Sequence, residues 1–190
     1  MKHASIRELF DYWNARRGRR SAPERAEIEP SAIRRVLADT FILSFDERAG
    51  HPFRVAGTRV CALFGRELKG DAYLDLWSTA ARQEMRELVA IVANESIGIV
   101  ASASGPTADS GLNLELVLLP LACHGRTDMR VLGALAPGEP PAWLGRTALR
   151  DLDLGTRRYV GEAAGPTRRP IAAIDGRLRH GFVVYDGGQA

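Results

Sequence analysis

Between Phe53 and Gly70, the stretch FRVAGTRVCALFGRELKG changes the period of its hydrophobic pattern. Phe53 and Val55 alternate with other residues, which is typical of a half-buried strand. After Gly57 the apolar residues group at helical spacing, and Gly65 and Gly70 interrupt the pattern. A strand that leads directly into a short helix predicts a domain of mixed α and β structure.

The N-terminal segment is predicted to form an amphipathic helix. Ser5 and Glu8 fit a capping box at its start, and Gly18 fits its end. Its apolar stripe must either cover the core of its own domain or meet another copy of the chain in a dimer. The stripe, and therefore the set of interface candidates, consists of Ile6, Leu9, Phe10 and Trp13.

Five strands and further helices complete the predicted fold. A short helix should begin at Pro30, and a β-hairpin should follow around the turn DERAGH. A longer helix should run from a cap at Ser78 or Thr79 to about Asn94. Three more strands are expected, at Ile97–Ser104, Leu112–Ala122 and Met129–Ala136. This order predicts an α+β fold, a five-stranded antiparallel sheet with helices on one face, preceded by N-terminal helices.

The chain divides into three predicted parts. An N-terminal helical segment covers residues 1–38, the sheet domain covers 39–137, and a Pro/Gly/Arg-rich extension covers 138–190. Most of the extension is expected to be weakly ordered, although Phe182–Tyr185 is apolar enough to dock as a strand or a tail motif. No apolar run approaches the roughly 20 residues that a membrane-spanning helix needs. We therefore expect a cytoplasmic protein that does not contact a membrane.

The order of elements and several short motifs resemble PAS domains. The match is most specific around the second strand, where Phe64, Gly65, Leu68 and Gly70 follow the FRVAGT start. More narrowly, the chain resembles the small single-domain PAS-like proteins common in alphaproteobacteria, over about Ser5 to Ala136. The other residues that carry this resemblance are Tyr12, Trp13, Asn14 and Arg17, then Pro23, Arg25, Ile28 and Pro30, and the strand residues Leu119–Leu121.

The resemblance implies a non-enzymatic sensory or regulatory module. Related domains enclose a concave space between the sheet and the helices, where they hold a small molecule or only pack side chains. The candidates for lining such a pocket are Phe41, Leu43, Phe53, Val55, Phe64, Trp77, Val89, Leu114 and Leu116. The resemblance also implies a homodimer that passes a signal by protein contact to a histidine kinase or another signalling protein.

Cofactor and enzyme chemistry have no visible carrier in the sequence. Haem-binding relatives commonly place a histidine on the long helix, and Ser78–Glu95 contains none, so we expect no haem. VCALFGREL does not match the flavin-adduct motif, so we expect no covalent flavin at Cys61. No catalytic or metal motif is found, and alternation places Glu115 opposite the apolar face of its strand. Cys61 and Cys123 lack a CxxC partner and are expected to be buried reduced thiols.

Arginines offer two further hypotheses. Arg54 and Arg59 flank the second strand and could bind a phosphate or a carboxylate through their guanidinium groups. The basic run RRGRR at 16–20 could instead meet a nucleotide or nucleic acid. More often such a run is a solvated helix end and loop, because cations favour the C-terminal end of a helix. We regard nucleic-acid binding as the weaker alternative to ligand or partner binding.

Overall fold

The structure, a computed structural model, describes residues 1–106, 111–122, 129–139, 141–142, 144–161, 176–179 and 182–185. The α-helices in these ranges are α1 (Ala4–Arg17), α2 (Thr58–Phe64) and α3 (Thr79–Glu95). Short 3-10 turns lie at Arg25–Glu27, Pro30–Ile33, Leu37–Asp39 and Tyr73–Leu76. The strands are β1 (Thr40–Ser44), β2 (Phe53–Ala56), β3 (Gly98–Pro106), β4 (Gly111–Leu121), β5 (Arg130–Pro137), β6 (Asp153–Val160), β7 (Gly176–Arg179) and β8 (Phe182–Tyr185).

Strands β1 to β6 form one antiparallel sheet in the spatial order β2-β1-β5-β4-β3-β6. The predicted α+β fold, the hairpin of β1 and β2, the long helix and the three later strands are confirmed. The predicted second helix is instead two separate 3-10 turns, at Pro30–Ile33 and Leu37–Asp39. The connection between the predicted strands at Leu112–Ala122 and Met129–Ala136 lies outside the described residues. Strand β8 forms at the predicted position and pairs with β7 in a separate two-stranded sheet.

The sheet has six strands, whereas the sequence predicted five. The additional strand, β6, forms the edge of the sheet and pairs with β3. It lies in the segment that was predicted to be a weakly ordered extension. All eight of its residues are exposed or half-buried, so it carries no apolar alternation that could reveal it. The sheet thus continues past residue 137, where the sequence analysis placed the end of the sheet domain, to Val160.

The helices α2 and α3 cover one face of the sheet, as predicted, and the N-terminal helix α1 covers the other face. The α3 face carries α2, α3 and the turn Tyr73–Leu76, and the α1 face carries α1 and the turns that follow it. Strand β1 lies inside the sheet, and its residues Thr40 to Leu43 are all buried. Each face therefore has its own hydrophobic core.

The start of α1 differs from its predicted capping box. The helix begins at Ala4, and the imidazole Nδ1 of His3 accepts the backbone N–H of Ser5 at 3.1 Å. The Ser5 hydroxyl is not available for capping because it donates to Oδ2 of Asp39 at 2.6 Å. In α3 the predicted cap is confirmed, since Oγ of Ser78 accepts the backbone N–H of Ala81 at 3.3 Å.

Glycines flank α2 for two different physical reasons. Gly65 ends the helix at a φ of 64°, in the left-handed region that glycine tolerates best. Gly57 has an ordinary φ of −70°, but a Cβ at this position would lie 2.2 Å from the carbonyl oxygen of Leu37. Gly57 is therefore needed because the end of β2 passes against the backbone of the Leu37–Asp39 turn.

Candidate functional site

The predicted ligand pocket coincides with the hydrophobic core on the α3 face. The pocket candidates that belong to this single buried cluster are Phe41, Leu43, Phe53, Phe64, Trp77, Val89, Leu114 and Leu116. They come from β1, β2, β4, α2 and α3, and from the short segment that precedes α3. The fold thus brings together all the candidates except Val55.

Packed aromatic rings form the centre of this core. The ring of Tyr73 lies 5.6 Å from that of Phe41, 5.7 Å from that of Phe53 and 5.9 Å from that of Trp77, measured between centroids. Sequence analysis missed Tyr73, because the segment DAYLDLW is too short to show a period. These rings fill the space between the sheet and α3.

Three buried nitrogen atoms lack a hydrogen-bond partner in the described residues, and two of them, in Trp77 and His51, belong to fully buried side chains that border this core. Nε1 of Trp77, a residue that is 1% exposed, makes no hydrogen bond in the structure. The same holds for Nε2 of His51, a residue with no exposed surface. His51 accepts the backbone N–H of Asp46 through Nδ1, so its proton resides on Nε2. Native proteins rarely leave buried donors unpaired, so both need a physical explanation.

His51 is, after Tyr73, the second buried residue of this site that sequence analysis missed, because it placed His51 only in a turn. Its φ of 60° turns the chain back into β2, and its ring stacks on that of Phe45 at 5.1 Å. Burial and the nearby Arg86 cation lower the pKa of His51 to about 4, and Asp46 opposes that shift only in part. The imidazole is therefore neutral near pH 7.

Tyr73 adds a polar group to the same interior. Its hydroxyl donates to the sulfur of Met85 at 3.6 Å, a weak bond. Complete burial raises the pKa of Tyr73, and the adjacent Trp77 offsets this in part without reaching hydrogen-bonding geometry. The backbone N–H of Tyr73 also donates to the carbonyl oxygen of His51, at 3.3 Å. The interior therefore combines packed apolar rings with N–H and O–H groups, the mixture of side chains that lines small-molecule sites.

Val55 does not line the core on the α3 face, and it is 50% exposed. A bulge in the hairpin explains the error. Phe53 pairs with Leu43 while Val55 pairs with Ile42, so one extra residue separates the two pairs. Strict alternation would place Phe53 and Val55 on one side of the strand, whereas the bulge turns them to opposite sides.

The two predicted anion-binding arginines differ in their surroundings. Arg54 is exposed on β2. Arg59 instead forms a two-pronged ion pair with Asp39, with Nε to Oδ1 at 2.6 Å and Nη2 to Oδ2 at 2.7 Å. The hydrogen bonds to Asp39, more than the opposing effect of burial, raise the pKa of Arg59. Arg59 is thus occupied within the chain, and the carboxylate that it holds also binds Ser5 of α1.

The interface candidates on α1 are mostly buried inside the chain. Ile6, Leu9 and Trp13 have no exposed surface, and Phe10 is half-buried beside them. The indole N–H of Trp13 donates to the carbonyl oxygen of Pro120 in β4, at 2.8 Å. The apolar stripe of α1 therefore covers the core of its own domain, which is the first of the two alternatives given by the sequence.

Several arginines of the basic run contact the chain itself. Arg20 forms two hydrogen bonds of 2.8 Å with Glu27, which lower the pKa of Glu27 to about 2. The guanidinium groups of Arg16 and Arg17 lie over the rings of Tyr12 and Trp13, at 5.2 and 5.1 Å from the centroids. These contacts favour the explanation of the run as a helix end.

The remaining groups give no sign of a metal or redox centre in the described ranges. Cys61 is a half-buried free thiol whose pKa burial raises, and Cys123 lies outside those ranges. No three His, Cys, Asp or Glu residues come together there as a metal site would require. None of the described helices is long and apolar enough to span a membrane.

One face of the antiparallel sheet is covered by short helices and one long helix, which enclose an aromatic core. This architecture defines the class of α+β domain that the sequence predicted. The sequence profile of the PAS domain family matches residues 1–136, which is more than half of the chain. The chain therefore belongs to the PAS domain family, and this membership indicates a sensory or regulatory module. Among curated proteins, none matches the chain significantly.

Proposed function

We propose that this PAS-domain chain is a non-enzymatic sensor that binds a small molecule in the core on the α3 face and signals to a partner protein. The observation that carries the proposal is the pair of unpaired buried donors, Nε1 of Trp77 and Nε2 of His51. The ligand that fits has a planar or apolar body and an acceptor oxygen, such as a carbonyl or carboxylate group.

The energetics favour such a ligand. A buried donor without a partner costs about 1–3 kcal/mol, and an acceptor on a ligand would recover much of that cost. Because aromatic rings fill the interior, Tyr73 and Trp77 must move when the ligand enters. Both lie in a 3-10 turn and the extended residue after it, and not in a long helix or the sheet. The backbone hydrogen bonds of this segment run to turns and loops, and not to α3 or to a strand of the six-stranded sheet, so rearranging it leaves those elements intact.

The signal reaches a partner by protein contact. The family supports a signalling partner such as a histidine kinase, or a second copy of this chain. The partner surface lies outside the apolar stripe of α1, since Ile6, Leu9 and Trp13 are already buried. Size-exclusion chromatography and a pull-down with and without the core ligand test this part. An unchanged oligomeric state and unchanged partner capture would argue against signalling by contact.

Native mass spectrometry of freshly purified protein tests the ligand. We expect an extra mass that is lost on denaturation. Trp77→Phe removes one unpaired N–H and should weaken retention about tenfold, the value of one buried hydrogen bond. Trp13→Phe is the matched control, because it makes the same change on the α1 face and should leave retention unchanged. A mass without ligand for the unaltered protein, or equal loss in both variants, would contradict the proposal.

A further inference from the structure

A groove of about 650 Å³ lies on the α1 face, beside the N-terminal end of α1. Residues 1–3 form one wall, and strands β3, β4 and β6 form the floor. Its volume lies within the roughly 300–1,000 Å³ that is usual for small-molecule sites. The groove is open to solvent and lies on the opposite side of the sheet from the aromatic core.

Hydroxyl, amide and carboxylate side chains lie among apolar residues on the floor of the groove. Ser102 and Ser104 of β3 lie opposite Glu115 and Asn113 of β4, so these four side chains share one face of the sheet. The hydroxyl of Thr156 in β6 lies 3.1 Å from that of Ser102. This arrangement presents several hydrogen-bonding groups at neighbouring positions, as recognition of a ligand with several hydroxyl groups requires.

Glu115, the one carboxylate among the described residues that line the groove, is already compensated. It accepts the backbone N–H groups of Lys2 and His3 at 2.9 and 2.6 Å, and it lies 3.5 Å from the amino group of Met1. Partial burial opposes its ionisation, but the hydrogen bonds outweigh burial and lower the pKa of Glu115. Its charge is therefore engaged by the wall and is not directed at a ligand.

Two cationic side chains leave the groove with an excess of positive charge. Lys2 and Arg158 both line it and are both exposed. Within the described ranges, neither side chain forms an ion pair, whereas the neighbouring Arg157 pairs with Glu84 on the α3 face. Arg158 pairs with Val100 across the strands, which turns it to the α1 face. An anionic ligand is therefore favoured over a neutral or cationic one.

We infer that this groove binds a small anionic molecule that carries several hydroxyl groups, of the sugar phosphate class. Arg158 and Lys2 hold the anionic group, and a guanidinium group suits phosphate because it donates two parallel hydrogen bonds. Ser102, Ser104 and Asn113 contact the hydroxyl groups. This site is separate from the proposed ligand site in the core, and the proposal for the groove does not depend on the proposal for the core.

Titration of the full chain with glucose 6-phosphate, followed by backbone amide NMR, tests the inference. We expect saturable shifts centred on Ser102, Ser104, Asn113 and Arg158. Arg158→Gln should weaken binding about fivefold, the upper value for an exposed ion pair. Arg48→Gln is the matched control, since it removes an exposed charge from the β1–β2 turn and should leave the affinity unchanged.

Two further probes separate the contributions of charge and hydroxyl groups. Glucose should give no saturable shifts because it lacks the anion, and inorganic phosphate should bind more weakly than glucose 6-phosphate. The inference is overturned if glucose 6-phosphate gives no saturable shifts at the groove, if inorganic phosphate binds as tightly, or if Arg48→Gln weakens binding as much as Arg158→Gln. Native mass spectrometry of the Trp77 variant reports on the other face, so the two proposals can fail separately.

Discussion

Replacing Arg59 with methionine should destabilise the chain more than replacing Asp39 with asparagine. The side chain of Asp39 is only 2% exposed, whereas that of Arg59 is 40% exposed. Removing the arginine leaves a buried carboxylate with one partner, the hydroxyl of Ser5. Removing the charge of Asp39 leaves a guanidinium group that can reach water. The two halves of one ion pair therefore have unequal costs.

The magnitudes follow from burial. Breaking a fully buried pair costs about 3–5 kcal/mol, and the exposure of Arg59 places Arg59→Met near the lower end, about 3 kcal/mol. Asp39→Asn keeps the shape of the side chain and an acceptor for Ser5, and weakens hydrogen bonds to a charged group, so about 1–2 kcal/mol is expected. Combining the two changes should cost less than the sum of the separate effects.

Urea unfolding of each variant measures these free energies. Arg54→Met is the control, because Arg54 is exposed on the adjacent strand and its loss should change stability by less than about 0.5 kcal/mol. The slope of free energy against urea should stay constant, so that shifts in midpoint report stability alone. If Asp39→Asn cost more than Arg59→Met, or if Arg59→Met matched the control, the reasoning from burial would be refuted.

Three further predictions concern the sheet and its turns. A chain that ends at residue 137 should be less stable, by at least about 3 kcal/mol, than a chain that ends at residue 161, because it lacks β6 and the buried Leu149 and Leu152. Equal urea midpoints for the two chains would disprove this. Gly57→Ala should lower the free energy of unfolding by more than about 2 kcal/mol, because the added Cβ would lie 2.2 Å from a carbonyl oxygen. Gly111→Ala is the control in thermal unfolding, because the space around Gly111 is open. The free energy of unfolding should fall by roughly 3 kcal/mol as the pH drops from about 6.5 to 4, because His51 binds a proton in this range in the unfolded chain but not in the folded one. The His51→Asn variant should show a smaller fall, and a pH profile identical to that of the unaltered protein would contradict the assignment.

The sequence predicted the fold wherever a regular period was long enough to report it. The hairpin, α3 and strands β3 to β5 all carry such a pattern. Strand β6 does not, because an edge strand with exposed side chains needs no apolar alternation. The placement of α1 could not be decided either, since an apolar stripe looks the same whether it covers a sheet of its own chain or another copy.

The candidate site was predicted in its regular parts and missed in its irregular ones. Phe41 and Leu114 lie on strands in which apolar and other residues alternate, and this alternation assigns both side chains to a face of the sheet. Val55 was misplaced because a bulge cannot be read from a short alternating run. Tyr73 and His51 lie in a 3-10 turn and a tight turn, where only contacts distant in sequence cause burial. The unpaired donors are likewise a property of the packed structure.

The two proposed sites share structural elements, although they lie on opposite faces. Along β3, Ala101 and Ala103 contribute to the core on the α3 face, while Ser102 lines the groove on the α1 face. The segment around Trp77 is tied to Leu152, since the N–H of Ser78 donates to the carbonyl oxygen of Leu152 at 2.9 Å.

Leu152 directly precedes β6, the strand that carries Thr156 and Arg158 into the groove. A ligand that shifted Leu152 together with Trp77 would therefore also shift the start of β6. In that case thermodynamic linkage would require an occupant of the groove to influence binding in the core to the same extent.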